Sequence, residues 1–241
     1  TDTFNLLHEE ILNATDPTAL KQKNTAHFDN FGLCARMHVS IYSEKLDDLL
    51  IEGDSDKVIA KVEAAKVEIT KCADTSLTSP EYEAILAKAK FEVELQRAQD
   101  EATYELETIF TALYGKDALK DNEDYNKALA DVDADTCDTT EKINAVLLSA
   151  TEKALSALAS DGGDYEKAYY DLLKADAKSL VDEASDGKVA KISSLLANYD
   201  IELYRAQAKD DLADYIDTKT HKDDQRMQEL KDEYCADGEL F

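Results

Sequence analysis

The stretch VELQRAQ at residues 93–99 reappears with two changes as IELYRAQ at residues 201–207. The chain keeps nearly the same offset upstream, where Gly53 in a Gly-Asp-Ser-Asp break corresponds to Gly162 in an Asp-Gly-Gly-Asp break. Similarity that recurs at a fixed period is the signature of an internal repeat. The sequence therefore predicts a helical unit of roughly a hundred residues that is present twice.

Residues that interrupt helices are scarce, because the chain has only 2 Pro and 7 Gly among its 241 residues. Sequences this poor in turn formers are typically helical, since strands need frequent turns. We therefore predict an all-α fold: a tandem duplication of an elongated antiparallel three-helix bundle unit, braced by disulfides. Residues 1–116 would form the first helical repeat with a short N-terminal helix. Residues 117–241 would form the second, with a connecting helix and a C-terminal helix.

Capping and breaker residues set the predicted helix ends. Asp16 is a preferred N-cap residue and Pro17 then occupies the first helical position. Ser79-Pro80 opens a later helix, and Gly115 is expected to end it. The predicted helices cover residues 4–14, 17–52, 54–73, 80–115, 117–133, 138–160, 164–184, 187–217 and 223–235.

Apolar residues at helical spacing predict which faces turn toward the core. The most regular stripe lies on the helix that follows Ser79, and another lies on the long helix that follows Asp16. The inward residues expected on the former are Ala84, Phe91, Leu95, Ala98, Ala102, Leu106, Ile109 and Leu113. Those expected on the latter are Leu20, His27, Phe31, Cys34, Met37, Ile41, Leu46 and Leu49.

The four cysteines contain no C-x-x-C pair, which excludes zinc ribbons and thioredoxin-like redox motifs. Cys34 precedes Gly53 by the same number of residues as Cys72 follows it. Two antiparallel helices joined at that glycine would hold both cysteines at one height, where a disulfide is feasible. The alternative is a pair of unrelated buried thiols. By elimination, Cys137 and Cys235 would form the second disulfide.

Paired cysteines and a glycosylation signal together favour a secreted or extracellular protein. Disulfides persist in oxidising compartments. Asn13-Ala14-Thr15 is an acceptor sequon for N-glycosylation, so Asn13 would carry a glycan on the surface of a glycoprotein. The same features would also fit a protein whose precursor is anchored at the cell surface.

The chain carries 53 acidic and 27 basic residues, a formal net charge of −26. Phosphate backbones and anionic membranes repel such a surface, so we expect no nucleic-acid partner. The sequence has no window of 18 apolar residues, so we expect no membrane span. A protein with a basic face would be attracted, although high net charge also serves solubility alone.

Each copy of the repeated heptapeptide holds a glutamate and an arginine three residues apart, Glu94 with Arg97 and Glu202 with Arg205. Such pairs can interact along a helix surface. With nearby glutamines they can also form a polar layer that fixes the register of a bundle. We expect one of these structural roles, and a ligand-binding arginine in each copy is the alternative.

Tyrosines in the second repeat form the candidate binding site. Tyrosine fills core edges and also lines small-molecule pockets and interfaces. The counterparts in the first repeat are mostly not aromatic, since Tyr204 corresponds to Gln96. Plain core packing is the alternative to a ligand or partner site. The five candidates are Tyr165, Tyr169, Tyr170, Tyr199 and Tyr204.

The sequence contains no motif that indicates catalysis or metal binding. Serine nucleophile elbows, phosphate loops and dinucleotide fingerprints are absent, and the histidines lack metal-ligand spacing. We therefore predict no enzyme, no metal and no cofactor. The predicted function is a secreted, non-enzymatic helical binding protein (an effector, inhibitor or ligand carrier). It would use its acidic surface or an inter-helix pocket in the second repeat to bind an unknown protein with a basic face, or a small ligand. The alternative is a structural, storage or surface-coat protein built from duplicated helical rods.

Overall fold

The computed structural model describes residues 6, 9–10, 12–13, 15–73, 79–161, 164–184, 187–196, 208–209, 211–216 and 225–234. It describes the backbone alone at residues 27–30, 161, 164–166, 168 and 230–234. Every regular element within these ranges is helical and none is a strand, so the predicted all-α class is confirmed.

The helices are labelled α1 to α7 in chain order, and a 3₁₀ helix at Lys116–Asp121 lies between α3 and α4. Short helical stretches also occur at residues 193–196 and 211–216. The helices are α1 (Pro17–Asp47), α2 (Asp56–Cys72), α3 (Ser79–Tyr114), α4 (Glu123–Val132), α5 (Thr140–Asp161), α6 (Asp164–Glu183) and α7 (Gln225–Tyr234).

Side-chain caps explain where helices begin. An Asp16 carboxylate oxygen accepts a hydrogen bond from the backbone nitrogen of Ala19 at 2.9 Å, which satisfies an otherwise unpaired donor of α1. Asn122 caps α4 in the same way, through the backbone nitrogen of Tyr125 at 2.9 Å. This second cap separates the 3₁₀ helix from α4, so the single connecting helix predicted over residues 117–133 is wrong.

The chain divides into two units, Thr1–Asp100 and Glu101–Phe241, each of which packs within itself. The division falls inside α3, so the first part of that helix belongs to the first unit and the last part to the second. The predicted repeat boundary after residue 116 concerns sequence similarity, and it stays a prediction.

In the first unit, α1, α2 and the first part of α3 share one core. Here α3 buries Tyr82, Ala89 and Gln96, at steps of seven residues. The predicted stripe is wrong at Ala84 and Phe91, which are both exposed, although Ala98 is buried as predicted. In the part of α3 that belongs to the second unit, Ala102, Leu106 and Ile109 are buried as predicted and Leu113 is half-buried. The apolar core residues of the first unit are Tyr42, Leu46, Val58, Val62, Ala65, Ile69, Tyr82, Ala89 and Val93.

Helix α1 also turns a different face inward from the one predicted. Leu46 is fully buried as expected, but Met37 and Ile41 are exposed. Ala35 and Tyr42 take the buried positions. The helix therefore has apolar residues on two faces, and periodicity alone does not decide which face enters the core.

In the second unit, α5 buries a stripe of apolar residues at helical spacing. Phe110 of α3 packs its ring against Tyr125 of α4, with centroids 5.4 Å apart. The hydroxyl of Tyr114 donates a hydrogen bond to the backbone oxygen of Ala154 at 3.1 Å, which ties the end of α3 to α5. The buried stripe residues of α5 are Ile143, Leu147, Ala150 and Ala154, and Leu158 is half-buried.

The predicted Cys34–Cys72 disulfide is wrong, because both residues carry thiols. The two helices do not meet at Gly53: α1 ends at Asp47 and α2 begins at Asp56. Counted from these ends, Cys72 lies deeper in its helix than Cys34 does, so the two cysteines are no longer at one height. An offset of about three helical residues displaces a side chain by about 4.5 Å and turns it by about 300°.

Cys137 is also a thiol, and its side chain is buried. Its predicted partner, Cys235, lies outside the described residues. The disulfide bracing expected from the sequence is therefore not part of the described fold. None of the described helices combines the length and the apolar character needed to cross a membrane.

Candidate functional site

The tyrosine site predicted in the second repeat is described only at Tyr169 and Tyr170. Both lie on α6 and are half-buried, at the edge of the buried face that Leu173 and Ala177 form. The side chains of Tyr165, Tyr199 and Tyr204 lie outside the described residues. The described residues therefore do not test whether the five tyrosines lie together, and their role as a binding site stays a prediction.

Leu172 extends the surface beside these two tyrosines, because its side chain is exposed. A neighbouring ion pair joins Lys174 to Asp171 at 2.7 Å and holds the pKa of that aspartate below its usual value through the lysine's hydrogen bond. Aromatic, aliphatic and charged groups thus lie within two turns of one helix. Such a mixed surface can contact a protein partner.

An open groove of about 260 Å³ lies between α4 and α5 in the second unit. Its lining includes Ala128, Ala145 and Ala150 together with exposed charged residues. Lys153 and Asp124 approach to 3.7 Å. The charged groups have both signs, so the groove has no strong preference for either an anion or a cation. Its charged lining residues are Asp124, Lys127, Asp131 and Lys153.

Arg97, the arginine of the first heptapeptide, fastens the loop between α1 and α2. Its Nε and Nη2 donate to the two carboxylate oxygens of Asp54, each at 2.7 Å. Nη2 also donates to the backbone oxygen of Leu49 at 2.6 Å. Asp54 is almost completely buried, with a side-chain exposure of 4%. Planar two-point pairing of this kind is geometrically specific, so the role of Arg97 is structural, but its partner is Asp54 of the loop and not Glu94.

The electrostatics of this pair follow from its geometry. The hydrogen bonds from Arg97 hold the pKa of Asp54 below its ordinary value, against the opposing effect of burial. The same bonds raise the pKa of Arg97. Asp100, one turn after Arg97, accepts hydrogen bonds from Ser55 at 2.5 Å and from Gln96 at 3.0 Å. The loop is therefore held at several points, and the guanidinium of Arg97 forms its hydrogen bonds within the protein.

A partly buried segment without regular secondary structure, residues 188–191 of the second unit, is held by two polar side chains that were not predicted from the sequence. Asn144 of α5 donates to the backbone oxygen of Lys188 and accepts from the backbone nitrogen of Ala190, both at 2.9 Å. The amide side chain thus takes the place of a neighbouring strand. Glu105 of α3 accepts from the backbone nitrogen of Ser193 at 3.1 Å, where the next helical turn begins.

Lys191 neutralises the buried carboxylate in this segment. Its Nζ lies 3.4 Å from Glu105 and 2.5 Å from Glu101. Burial alone would lower the pKa of Lys191, but the two carboxylates outweigh that effect and raise it. A signal for Asn144 was present in the sequence, since it is the polar residue in the apolar run INAVLL at residues 143–148. Glu105 gave no comparable signal.

An aromatic cluster in the first unit gathers His38, Tyr42 and Tyr82. The rings of His38 and Tyr82 stack with centroids 4.8 Å apart, and those of Tyr42 and Tyr82 lie 5.2 Å apart. Burial, and next the charge of Glu81, raise the pKa of the neighbouring Cys72 thiol. A thiol with a raised pKa is a poor nucleophile at neutral pH. The cluster therefore fits core packing better than covalent chemistry.

The acceptor asparagine of the predicted sequon is accessible. Asn13 is exposed, and its side-chain nitrogen donates to the backbone oxygen of Glu9 at 2.8 Å. Within the described residues, no group of three or more His, Cys, Asp or Glu side chains is arranged to hold a metal ion.

Comparison with known protein families, with characterised proteins and with solved structures finds no match for this chain. The function therefore has to be argued from the chemistry of its own surface.

Proposed function

We propose that this chain is a non-enzymatic helical binding protein, an effector, inhibitor or ligand carrier that acts by contact. The observation that carries the proposal is the surplus of 26 negative charges on the chain. Four buried polar residues of the described ranges support it, because their side chains form hydrogen bonds within the fold, although the buried Nδ1 of His38 has no such partner. Gln96, Glu105, Asn144 and Thr151 all make the internal hydrogen bonds expected of structural groups.

The partner we propose is a protein with a basic face. A field of this size accelerates encounter with a cationic surface and repels anionic ones. Tyr169, Tyr170 and Leu172 on α6 supply the aromatic and aliphatic contacts that a specific interface needs in addition to charge. A small ligand held between helices of the second repeat is the other form of this proposal.

The proposal includes a tandem duplication of a three-helix unit. Its support is the repeated heptapeptide and the matching breaks at Gly53 and Gly162. Helix α2 begins at the end of the Gly-Asp-Ser-Asp sequence that contains Gly53, and α6 begins at the end of the Asp-Gly-Gly-Asp sequence that contains Gly162. A duplicated unit could present one binding face per copy or keep binding in one copy alone.

We also propose that the protein is exported. The described cysteines are thiols, so disulfides give no support for export. The support is the exposed glycosylation sequon at Asn13. Glycosidase treatment of protein from its native source should lower its mass. The Asn13→Gln variant, expressed in the same cells, should lack that shift. An unmodified Asn13 would leave this part of the proposal without support.

The binding proposal can be tested with two probes, a folded basic protein and a poly-lysine peptide. Affinity for both should fall as salt rises, because the attraction is screened. Tyr169→Ala combined with Tyr170→Ala should weaken binding to the folded probe several-fold and leave poly-lysine binding unchanged. Tyr104→Ala is the matched control, since Tyr104 is an exposed tyrosine of α3. Binding that is indifferent to salt, or equally weakened by the control, would contradict the proposal.

The alternative function, a structural, storage or surface-coat protein, is favoured by one observation. Helix α1 exposes Leu33, Met37 and Ile41 on the face opposite the core. Lateral packing of rods requires apolar surface of this kind. Light scattering that shows large, concentration-dependent assemblies would support this alternative over a binding protein.

A further inference from the structure

The outward face of α1 carries a continuous apolar row. Leu33, Met37 and Ile41 are 49%, 54% and 43% exposed, and each is four residues from the next. Residues four apart on a helix form a ridge that can pack into the grooves of another helix. Ala35 and Tyr42 occupy the buried face of the same helix. The exposed row is thus a second packing surface and not an extension of the core.

The charge around this row is close to neutral, unlike that of the chain as a whole. Helix α1 holds four basic and three acidic residues, a balance of +1, so the remaining sequence carries −27. Two copies of the chain repel each other where their acidic surfaces face, and that repulsion is low where α1 faces α1. Apolar surface and locally low repulsion coincide on this helix. The basic residues of α1 are Lys21, Lys23, Arg36 and Lys45, and the acidic ones are Asp29, Glu44 and Asp47.

Opposite charges beside the row are placed for pairing with a second copy. Arg36 and Glu44 are both exposed and lie four residues to either side of Ser40. If two α1 helices cross antiparallel about a two-fold axis near Ser40, Arg36 of each copy faces Glu44 of the other. Met37 and Ile41 lie within the crossing. A two-fold contact requires this kind of self-complementarity, because one patch serves both partners.

We propose that this face of α1, formed by Leu33, Met37 and Ile41 with Arg36 and Glu44 at its edge, docks on the same face of a second copy of the chain. The contact is an antiparallel helix crossing and makes a homodimer. One helix per partner offers less area than the roughly 1,600 Å² of a standard interface. The dimer is therefore weak, and the dimeric fraction rises with protein concentration. The inference does not rest on the proposed basic partner.

Sedimentation velocity across protein concentrations of about 1 to 500 μM tests the dimer, a range chosen to cover weak association. The wild-type chain should shift from monomer to dimer over this range. Met37→Glu should remain monomeric, since it buries a charge at the crossing. Val67→Glu is the matched control, because Val67 is 53% exposed on α2. Circular dichroism on each variant verifies that the helices are intact.

A charge exchange tests the antiparallel geometry. Arg36→Glu should weaken association about ten-fold, because it places two carboxylates together in each of two symmetric pairs. Adding Glu44→Arg should restore the wild-type dissociation constant to within about three-fold. Raising salt should strengthen the dimer, since the two chains repel overall, whereas it weakens binding of a basic partner. The dimer and the proposed function can therefore fail independently.

Three results would overturn the inference. In the first, the wild-type chain stays monomeric and Met37 is oxidised rapidly by dilute peroxide, so the face is open to another partner. In the second, it stays monomeric and Met37 resists oxidation, so another segment of the same chain covers the face. In the third, the chain dimerises but Val67→Glu weakens association as much as Met37→Glu.

Discussion

Arg97 shows how far a residue's role can be predicted from its neighbours in sequence. The nearest acidic group along α3 is Glu94, three residues away, and pairing with it is worth only a few tenths of a kcal/mol. The structure instead joins Arg97 to Asp54, 43 residues away, through two hydrogen bonds to a buried carboxylate. A structural arginine could be predicted from the repeat. Its partner could not, because the contact depends on how the α1–α2 loop reaches α3.

The Asp54–Arg97 pair gives a pH-dependent prediction. The pKa of Asp54 is lowered in the folded chain, so its contribution to stability is complete above the unfolded pKa and is lost as pH falls through the lowered value. Asp54→Asn should therefore cost about 2 kcal/mol of unfolding free energy at pH 7 and much less near pH 2. Urea denaturation at both pH values measures this. A cost that is equal at both would contradict the role of the ion pair.

The cysteines give a second prediction at the residue scale. In the unfolded chain without reductant, Cys34, Cys72 and Cys137 should all take up iodoacetamide, because each is a thiol. In the folded chain Cys137 should react more slowly than Cys34, since burial raises the pKa of Cys137 and shields it. Peptide mass mapping locates each adduct. Recovery of a peptide pair linked through Cys34 and Cys72 would reinstate the disulfide predicted from the sequence.

At the scale of elements, local signals predicted helix ends better than helix faces. Helix α3 was expected over 80–115 and covers Ser79–Tyr114. Ser79-Pro80 and Gly115 are local signals that start and end a helix regardless of distant contacts. Gly115 has a positive φ of 80°, a conformation that favours glycine and ends the helix. The faces were harder to predict, since α1 and α3 carry apolar residues beyond those they bury. Which face is covered depends on partners that are distant in sequence.

The segment after Gly187, predicted as the start of a helix, has no regular secondary structure over residues 188–191. Its backbone instead bonds to Asn144, and Val189 and Ala190 are buried. Single-sequence patterns do not anticipate such a segment, because its stability comes from a side chain 46 residues away. An unpaired buried peptide group costs about 1–3 kcal/mol, so the amide of Asn144 is what allows this backbone to be buried without a strand partner.

Substitution at Asn144 tests this element. Asn144→Leu should lower the unfolding free energy by about 3 kcal/mol, because the Lys188 oxygen and the Ala190 nitrogen lose their bonds together. Ser149→Leu, at an exposed position of the same helix, should change it by about 0.5 kcal/mol or less. Urea denaturation gives both values. Hydrogen exchange should accelerate at the Ala190 amide in Asn144→Leu, and unchanged protection there would show that another group holds the segment.

At the scale of the whole molecule, the charge balance sets both stability and association. The chain has 53 acidic and 27 basic residues, so pairing every lysine and arginine with a carboxylate would still leave 26 acidic groups unpaired. Local ion pairs such as Lys191 with Glu101 offset repulsion at particular sites. They cannot remove the excess. Folding brings the unpaired carboxylates closer together than they are in the unfolded chain, which costs free energy.

Salt should therefore stabilise this protein. Added salt screens repulsion among the surplus carboxylates, and it also screens the surface ion pairs, which are worth little individually. Because each exposed ion pair contributes little, whereas repulsion acts among all 26 surplus charges, we expect the gain to exceed the loss. The midpoint of thermal unfolding should rise by several degrees between about 10 mM and 500 mM sodium chloride, where the Debye length falls from about 30 Å to a few ångströms. Measurement at low micromolar protein limits self-association, and choline chloride at equal ionic strength should give the same rise. A falling midpoint would mean that ion pairs outweigh net repulsion in this fold, and the acidic surface could then no longer be treated as a uniform field.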